Sequence, residues 1–180
     1  MKKRTRHLAI DLQRLFAEDH GWHVPGIASI LPNVLRLTQA HQTIFTRFVT
    51  PATPDAARGQ WQALYAAWPQ VTGLDLDILN LVPALRGLGA VVDKTTYSAF
   101  PALILPPEVD TLILSGAETD ACVLATLLGA VDLGLRVVVA VDAVTSSDMA
   151  AHHAILDLLA RRLPQQVTLA PTSEILRTWA

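Results

Sequence analysis

Three residues of this 180-residue chain have the chemistry of a nucleophilic site: Cys122, Asp11 and Lys94. Cys122 is the sole cysteine. It follows the β-branched run Val109–Ser115 and the turn Gly116–Ala121, and it heads the apolar, helically periodic stretch Val123–Leu133. A thiol in the first turn of a helix faces unpaired backbone N–H groups and the positive end of the macrodipole, which both favour thiolate. A lone cysteine can equally be a small buried hydrophobe, and its position alone leaves both readings open. Asp11 ends the apolar run Leu8–Ile10, and Lys94 follows Ala90–Val92.

The elements that must position these residues are legible as apolar runs. Strands are expected at Leu8–Ile10, Thr43–Phe48, Ala90–Val92, Val109–Ser115, Val137–Val141 and Val167–Leu169. Helical patterns lie between most of them, at Pro25–Gln39, Arg58–Ala67, Cys122–Leu133, Asp148–Arg162 and Thr172–Thr178. Alternation of this kind predicts an α/β fold in three layers, a mostly parallel six-stranded sheet with helices on both faces, in one domain over residues 1–180. Ligands of such sheets bind beyond the carboxyl ends of the strands. Asp11, Arg47, Asp93, Lys94, the turn from Gly116 to Cys122, and Asp142 all fall at strand ends, so an acid, a lysine and a cysteine are expected on one rim.

Composition narrows the functional classes. The formal charge is −2, from 14 basic and 16 acidic residues, so no nucleic-acid or polybasic membrane surface is expected. One cysteine cannot form an intramolecular disulfide, and the expected compartment is the cytoplasm. The basic start of the chain, Met1–Arg6, precedes an apolar stretch too short for a signal-peptide core or a membrane span.

Three segments, IDLQ (Ile10–Gln13), DKTTYSAF (Asp93–Phe100) and GAETDACV (Gly116–Val123), occur in this order, each after a strand. Together with VDA (Val141–Ala143) and His152 ten residues beyond Asp142, they resemble the isochorismatase-like cysteine hydrolases, which include nicotinamidases, N-carbamoylsarcosine amidases and ureide hydrolases. The similarity runs from about His7 to Trp179. It implies a Rossmann-like sheet, Cys122 as nucleophile, Asp11 as general base, Lys94 as third triad member, and an oxyanion hole from the backbone N–H groups of Glu118 and Cys122 after a cis peptide. It also implies a homo-oligomer, a dimer or tetramer whose neighbours can complete the pocket, and no organic cofactor. The chemistry needs all three side chains. A thiol with pKa near 8.5 is a few per cent thiolate at pH 7, and each unit of lowering takes about 1.4 kcal/mol, whereas a helix end supplies about 0.3–1 kcal/mol. Lys94 adds positive charge, and Asp11, kept ionised beside it, takes the thiol proton during attack. The expected reaction is cleavage of a small amide or ureide C–N bond through a Cys122 thioester. The alternatives are vinyl-ether hydrolysis of the isochorismatase type and a catalytically degenerate binding protein on the same fold. A thiol redox sensor would want a second cysteine.

Departures from the family refine this reading. Nicotinamidases carry an Asp-x-His metal site after the second strand, but here Thr46–Gly59 holds no histidine and only Asp55, so no metal is expected. The acidic and histidine-rich stretch Glu18, Asp19, His20 and His23 reads as a solvated loop. Candidate substrate contacts are Gln13, Phe16, Arg47, Trp61 and Tyr97. Arg47 could hold a substrate carboxylate or pair with Asp55 or Asp75. Trp61, Tyr65 and Trp68 could line the pocket, but an aromatic stripe is more often core. Thr119 and Asp120 suit a helix N-cap, and His152 and His153 are structural.

Overall fold

A computed structural model of the chain describes residues 4–179; the first three residues of the basic N-terminal run lie outside them. The strands are β1 (Thr5–Ile10), β2 (Thr43–Phe48), β3 (Ala90–Lys94), β4 (Thr111–Ala117), β5 (Arg136–Thr145) and β6 (Val167–Ala170). All pair in parallel, in the order β3-β2-β1-β4-β5-β6. The helices are α1 (Arg14–Ala17), α2 (Ile27–Ala40), α3 (Trp61–Ala67), α4 (Leu124–Asp132), α5 (Met149–Arg162) and α6 (Thr172–Thr178). No helix among the described residues is long and apolar enough to cross a membrane.

The strand order explains the layers. From β1 the chain steps to β2 and β3 in one direction, then returns to β4 on the other side of β1 and continues outward to β5 and β6. Right-handed crossovers in opposite directions place their helices on opposite faces of the sheet. Every residue of β4 is buried, and Val137–Ala140 of β5 are fully enclosed, as two-sided cover requires. Edge strand β3 departs from that expectation: Val91 is 42% exposed because only one neighbour covers the strand. Helix α2 turns Ile27, Ile30, Val34 and Leu37 inward, a 3.6-residue stripe. Helix α5 begins at its cap, where Asp148 Oδ1 accepts from the N–H groups of Ala150 and Ala151 at 2.9 and 3.0 Å.

The helix expected at Cys122–Leu133 starts later. Residues Thr119–Val123 form one π-turn, and α4 runs from Leu124. Thr119 and Asp120 therefore do not cap it. The Thr119 hydroxyl donates to the Thr145 carbonyl at 3.1 Å, and Asp120 accepts from Ser146. The reason is tertiary: the long β5 and the β5–α5 connection offer these two polar side chains better partners than their own helix does.

A buried network ties the central strands together beneath the site. His7 on β1 lies 3.0 Å from Thr43 Oγ1 on β2 and 2.8 Å from Ser115 Oγ on β4. Because the Thr43 hydroxyl donates to the His41 carbonyl, it accepts from His7 Nδ1–H, which leaves Nε2 to accept from Ser115. Burial, reinforced by His41, lowers the His7 pKa to about 3, so the ring is neutral.

Candidate active site

The chain reverses direction across the sheet between β1 and β4, and the ligand crevice of a doubly wound sheet opens at that switch point. Asp11 leaves the end of β1 there, and the turn carrying Cys122 leaves the end of β4. Gly116 lets the two strands approach: its φ is +114°, and a Cβ would stand 2.1 Å from the Ile10 carbonyl oxygen. The peptide between Ala117 and Glu118 is cis, matching the expectation from the family.

Asp11 is fully buried, in the left-handed region at φ +52°, which Asp tolerates better than most residues. Thr46 of β2 fixes it from both ends, accepting from the Asp11 N–H at 3.1 Å and donating to Oδ1 at 2.5 Å. Lys94 Nζ lies 2.7 Å from the other oxygen, Oδ2, both side chains being essentially inaccessible. That approach is a buried ion pair. Lys94 starts on β3, two strands and therefore about 10 Å from β1. Its length is what the task requires: the chain crosses the Phe48 ring of β2, with Nζ 4.7 Å from the centroid, and also donates to the carbonyls of Thr96 (2.9 Å) and Tyr97 (3.0 Å).

Cys122 is buried, and the charges bearing on its thiol are those of Asp11 and Lys94. Burial pushes its pKa well up, the Asp11 carboxylate pushes it further, and Lys94 opposes both. The pull of a helix end toward thiolate is outweighed here: the surroundings of Cys122 raise its pKa. The surrounding turn is held by β5 and α5. Thr119 Oγ1 lies 2.9 Å from Nδ1 of the buried His152, and Glu118 Oε1 accepts from the Ser147 N–H at 2.8 Å and from its hydroxyl. The Glu118 carbonyl accepts from Ala121 (3.2 Å) and Val123 (3.0 Å), the residues on either side of Cys122.

Cys122 opens on a cavity of about 380 Å³, small for a ligand site. Phe16 and Tyr97 line it as expected, and Trp68 does as well. Three expected contacts are not there. Gln13 is fully buried and used up, its amide donating to the carbonyls of Phe48 (3.0 Å) and Leu79 (2.6 Å) and accepting from the Phe48 N–H (2.6 Å). Arg47 makes a bidentate pair with Asp93 at 2.7 and 2.9 Å, not with Asp55, Asp75 or the cavity. Strand alternation is the cause: Arg47 and Asp93 are partners in register on the face opposite to Phe48 and Lys94. Trp61 packs on Tyr97, centroids 4.8 Å apart, and lines an adjoining cavity instead; Tyr65 is core.

The sequence reading missed Trp22, His23, Leu64, Ala121 and Ser147, all on the cavity wall. The stretch Glu18–His23 is not merely solvated. Its chain folds back, Val24 N–H donating to the Phe16 carbonyl at 2.7 Å, and stacks Trp22 on Phe16 at 6.2 Å. Glu18 is engaged by Arg14 (2.7 and 2.9 Å) and His20 (3.2 Å). A tryptophan inside a polar loop directly after the switch-point strand was the available signal. Among the described residues, no three His, Cys, Asp or Glu side chains converge as metal ligands would.

The fold matches that of known proteins. A cysteine hydrolase from Pseudomonas syringae pv. phaseolicola 1448A superimposes with a TM-score of 0.82 at 22% identity, over 98% of this chain and 92% of that one. A nicotinamidase from Bacillus subtilis does so with a TM-score of 0.64 at 21% identity, over 92% of this chain and 99% of that one. At such identities the likeness is one of fold. In sequence, the chain is 36% identical over 106 residues to isochorismatase domain-containing protein 2B of Mus musculus, covering 54% of this chain and 48% of that protein. It is 41% identical over 75 residues to isochorismatase domain-containing protein 2 of Bos taurus, 37% of each. The alignments thus span about half or less of these relatives' length. The isochorismatase domain profile matches residues 5–172, the whole sheet with its switch point and all three segments first singled out, and the chain belongs to the isochorismatase domain family.

Proposed function

We propose that the protein is a cysteine hydrolase that cleaves a small amide or ureide C–N bond, with Cys122 as nucleophile, Asp11 as general base and Lys94 holding Asp11 in place. One observation carries this reading: the buried Asp11 carboxylate, paired with Lys94 at 2.7 Å, bears directly on a buried thiol on a cavity wall. Because Cys122 rests as a thiol, attack and deprotonation are coupled. Sγ forms a bond to the carbonyl carbon as its proton passes to Asp11, and the carbonyl electron pair moves onto oxygen. The backbone N–H groups of Glu118 and Cys122 hold that oxyanion. Collapse breaks the C–N bond, and Asp11 returns the proton to the leaving nitrogen. Water then gives a proton to Asp11 while its oxygen attacks the thioester, and the proton returns to Sγ as the C–S bond breaks.

The test is a panel of small amides, ureides and vinyl ethers, followed by ammonia and pyruvate release. Ammonia release lost in both Cys122→Ala and Asp11→Asn is expected. Ammonia release that survives Cys122→Ala overturns the thioester. Pyruvate release that needs Asp11 but not Cys122 replaces the reading with vinyl-ether hydrolysis.

A further inference from the structure

The walls of the Cys122 cavity are chemically lopsided. Its residues include one carboxylate, Glu118, and neither a lysine nor an arginine. The nearest buried cation, Lys94, is 2% exposed, ion-paired with Asp11 and donating to the carbonyls of Thr96 and Tyr97. Arg47, the other cation of that rim, is turned to the opposite face by Asp93. Glu118 is itself held firmly through one oxygen only. Oε1 accepts twice from Ser147, whereas Oε2 has neither a hydrogen-bond nor an ion-pair partner among the described residues. The carboxylate bears on the cavity, since it is one of the groups that raise the Tyr97 pKa, after burial and Cys122.

The same cavity is lined by a chain of aromatic rings. Phe16 stacks on Trp22 at 6.2 Å, Trp22 meets Phe48 edge-on at 6.0 Å, and Phe48 meets Tyr97 at 6.5 Å. Ring faces attract a cation, and a carboxylate with a free oxygen completes its neutralisation. The same surroundings repel an anion, which would meet negative ring faces and Glu118 with no accessible basic side chain other than the exposed His23.

We propose that the non-reacting end of the substrate is cationic, an ammonium, guanidinium or quaternary ammonium group seated against Phe16 and Trp22 and paired with Glu118 Oε2. The substrate class becomes small cationic amides or ureides. The proposal rests on the hydrolase reading and deepens it in the same cavity, but cation binding itself does not depend on Cys122 chemistry.

The test uses tetramethylammonium chloride and guanidinium chloride at millimolar concentration, with sodium acetate as the anionic probe and sodium chloride holding ionic strength constant. Tryptophan fluorescence and the rate of Cys122 alkylation by iodoacetamide are followed in the full chain. Both cations are expected to give a saturable change and to slow alkylation, and acetate neither. Glu118→Gln, which keeps the backbone and the Ser147 contacts, is expected to weaken cation binding about tenfold, and Trp22→Leu to weaken it comparably. The surface variant Asp157→Asn is the control for general charge. Absence of saturation, equal binding of acetate, or an unchanged midpoint in both variants overturns the proposal. Failure of the two readings is distinguishable. Saturable cation binding without turnover of any amide leaves this proposal standing and sinks the hydrolase. Turnover of anionic and neutral amides as fast as cationic ones sinks this proposal and leaves the hydrolase.

Discussion

Lys94→Met is the most informative perturbation, because Lys94 and Asp11 form a pair with side-chain exposures of 0% and 1% at 2.7 Å. Methionine keeps the apolar stem over Phe48 and removes the charge. It leaves the Asp11 carboxylate uncompensated in the interior and the carbonyls of Thr96 and Tyr97 without their donor. Breaking one side of a buried pair costs about 3–5 kcal/mol. For a domain of this size that is a fall in Tm of roughly 6–20 °C. Asp11→Asn strands the ammonium instead and is expected to cost a similar amount, since asparagine also tolerates the positive φ of this position. The double variant Asp11→Asn/Lys94→Met holds no buried charge at either position. If the two charges compensate each other, it loses about as much as one single variant, not the sum of about 6–10 kcal/mol. Urea titration of the four proteins measures the cycle. A Lys94→Met cost below about 1 kcal/mol, or a double variant additive within about 0.5 kcal/mol, refutes the claim that this pair is a desolvated unit.

The same two residues pull the Cys122 thiol in opposite directions, so Asp11→Asn is expected to lower its pKa and Lys94→Met to raise it further; the pH dependence of iodoacetamide alkylation reads both, and shifts of one sign would be wrong. His7 is held near pKa 3 when folded against about 6.5 unfolded, so the unfolded chain binds the extra proton between these values. Stability from this group is complete above about pH 6.5 and falls as pH drops toward 3, by up to about 5 kcal/mol; His7→Gln is expected to flatten the urea midpoint across that window. Gly116→Ala places a Cβ 2.1 Å from the Ile10 carbonyl oxygen at φ +114° and is expected to cost more than about 4 kcal/mol, with Cys122 becoming more reactive to alkylation as its turn separates from Asp11; a change under about 1 kcal/mol counts against the close approach.

Which residues stand at strand ends was readable, because strands buried on both faces are unbroken apolar runs whose ends are marked by the first polar residue. That sufficed for Asp11, Lys94 and the Cys122 turn. It could not say to which face each residue points. Arg47 and Phe48 are neighbours at the end of β2, yet one binds Asp93 and the other supports Lys94, since a shift of one residue in a strand changes the face. Gln13 failed for a related reason. Nothing in IDLQ indicates that its amide faces the end of β2 and the carbonyl of Leu79, a contact across 66 residues of sequence.

The thiol shows where a local argument reaches its limit. A helix terminus contributes about 0.3–1 kcal/mol toward the thiolate, and this is all that the segment around Cys122 can offer by itself. Burial and the Asp11 carboxylate act in the opposite direction, and both arise from the fold of the whole sheet. The net direction is upward, so in the proposed mechanism the thiol proton has to leave during attack. In the proposed mechanism Lys94 is not asked to make a standing thiolate; its charge, 2.7 Å from Oδ2, holds the buried Asp11 carboxylate that would receive the proton at the moment of attack. A base of that kind is available only while water is excluded from it. In the proposed mechanism the activity depends on the aromatic lining of the cavity as much as on Asp11, Lys94 and Cys122, and Trp22→Leu should lower turnover of small amides even though Trp22 contributes no proton, charge or nucleophile.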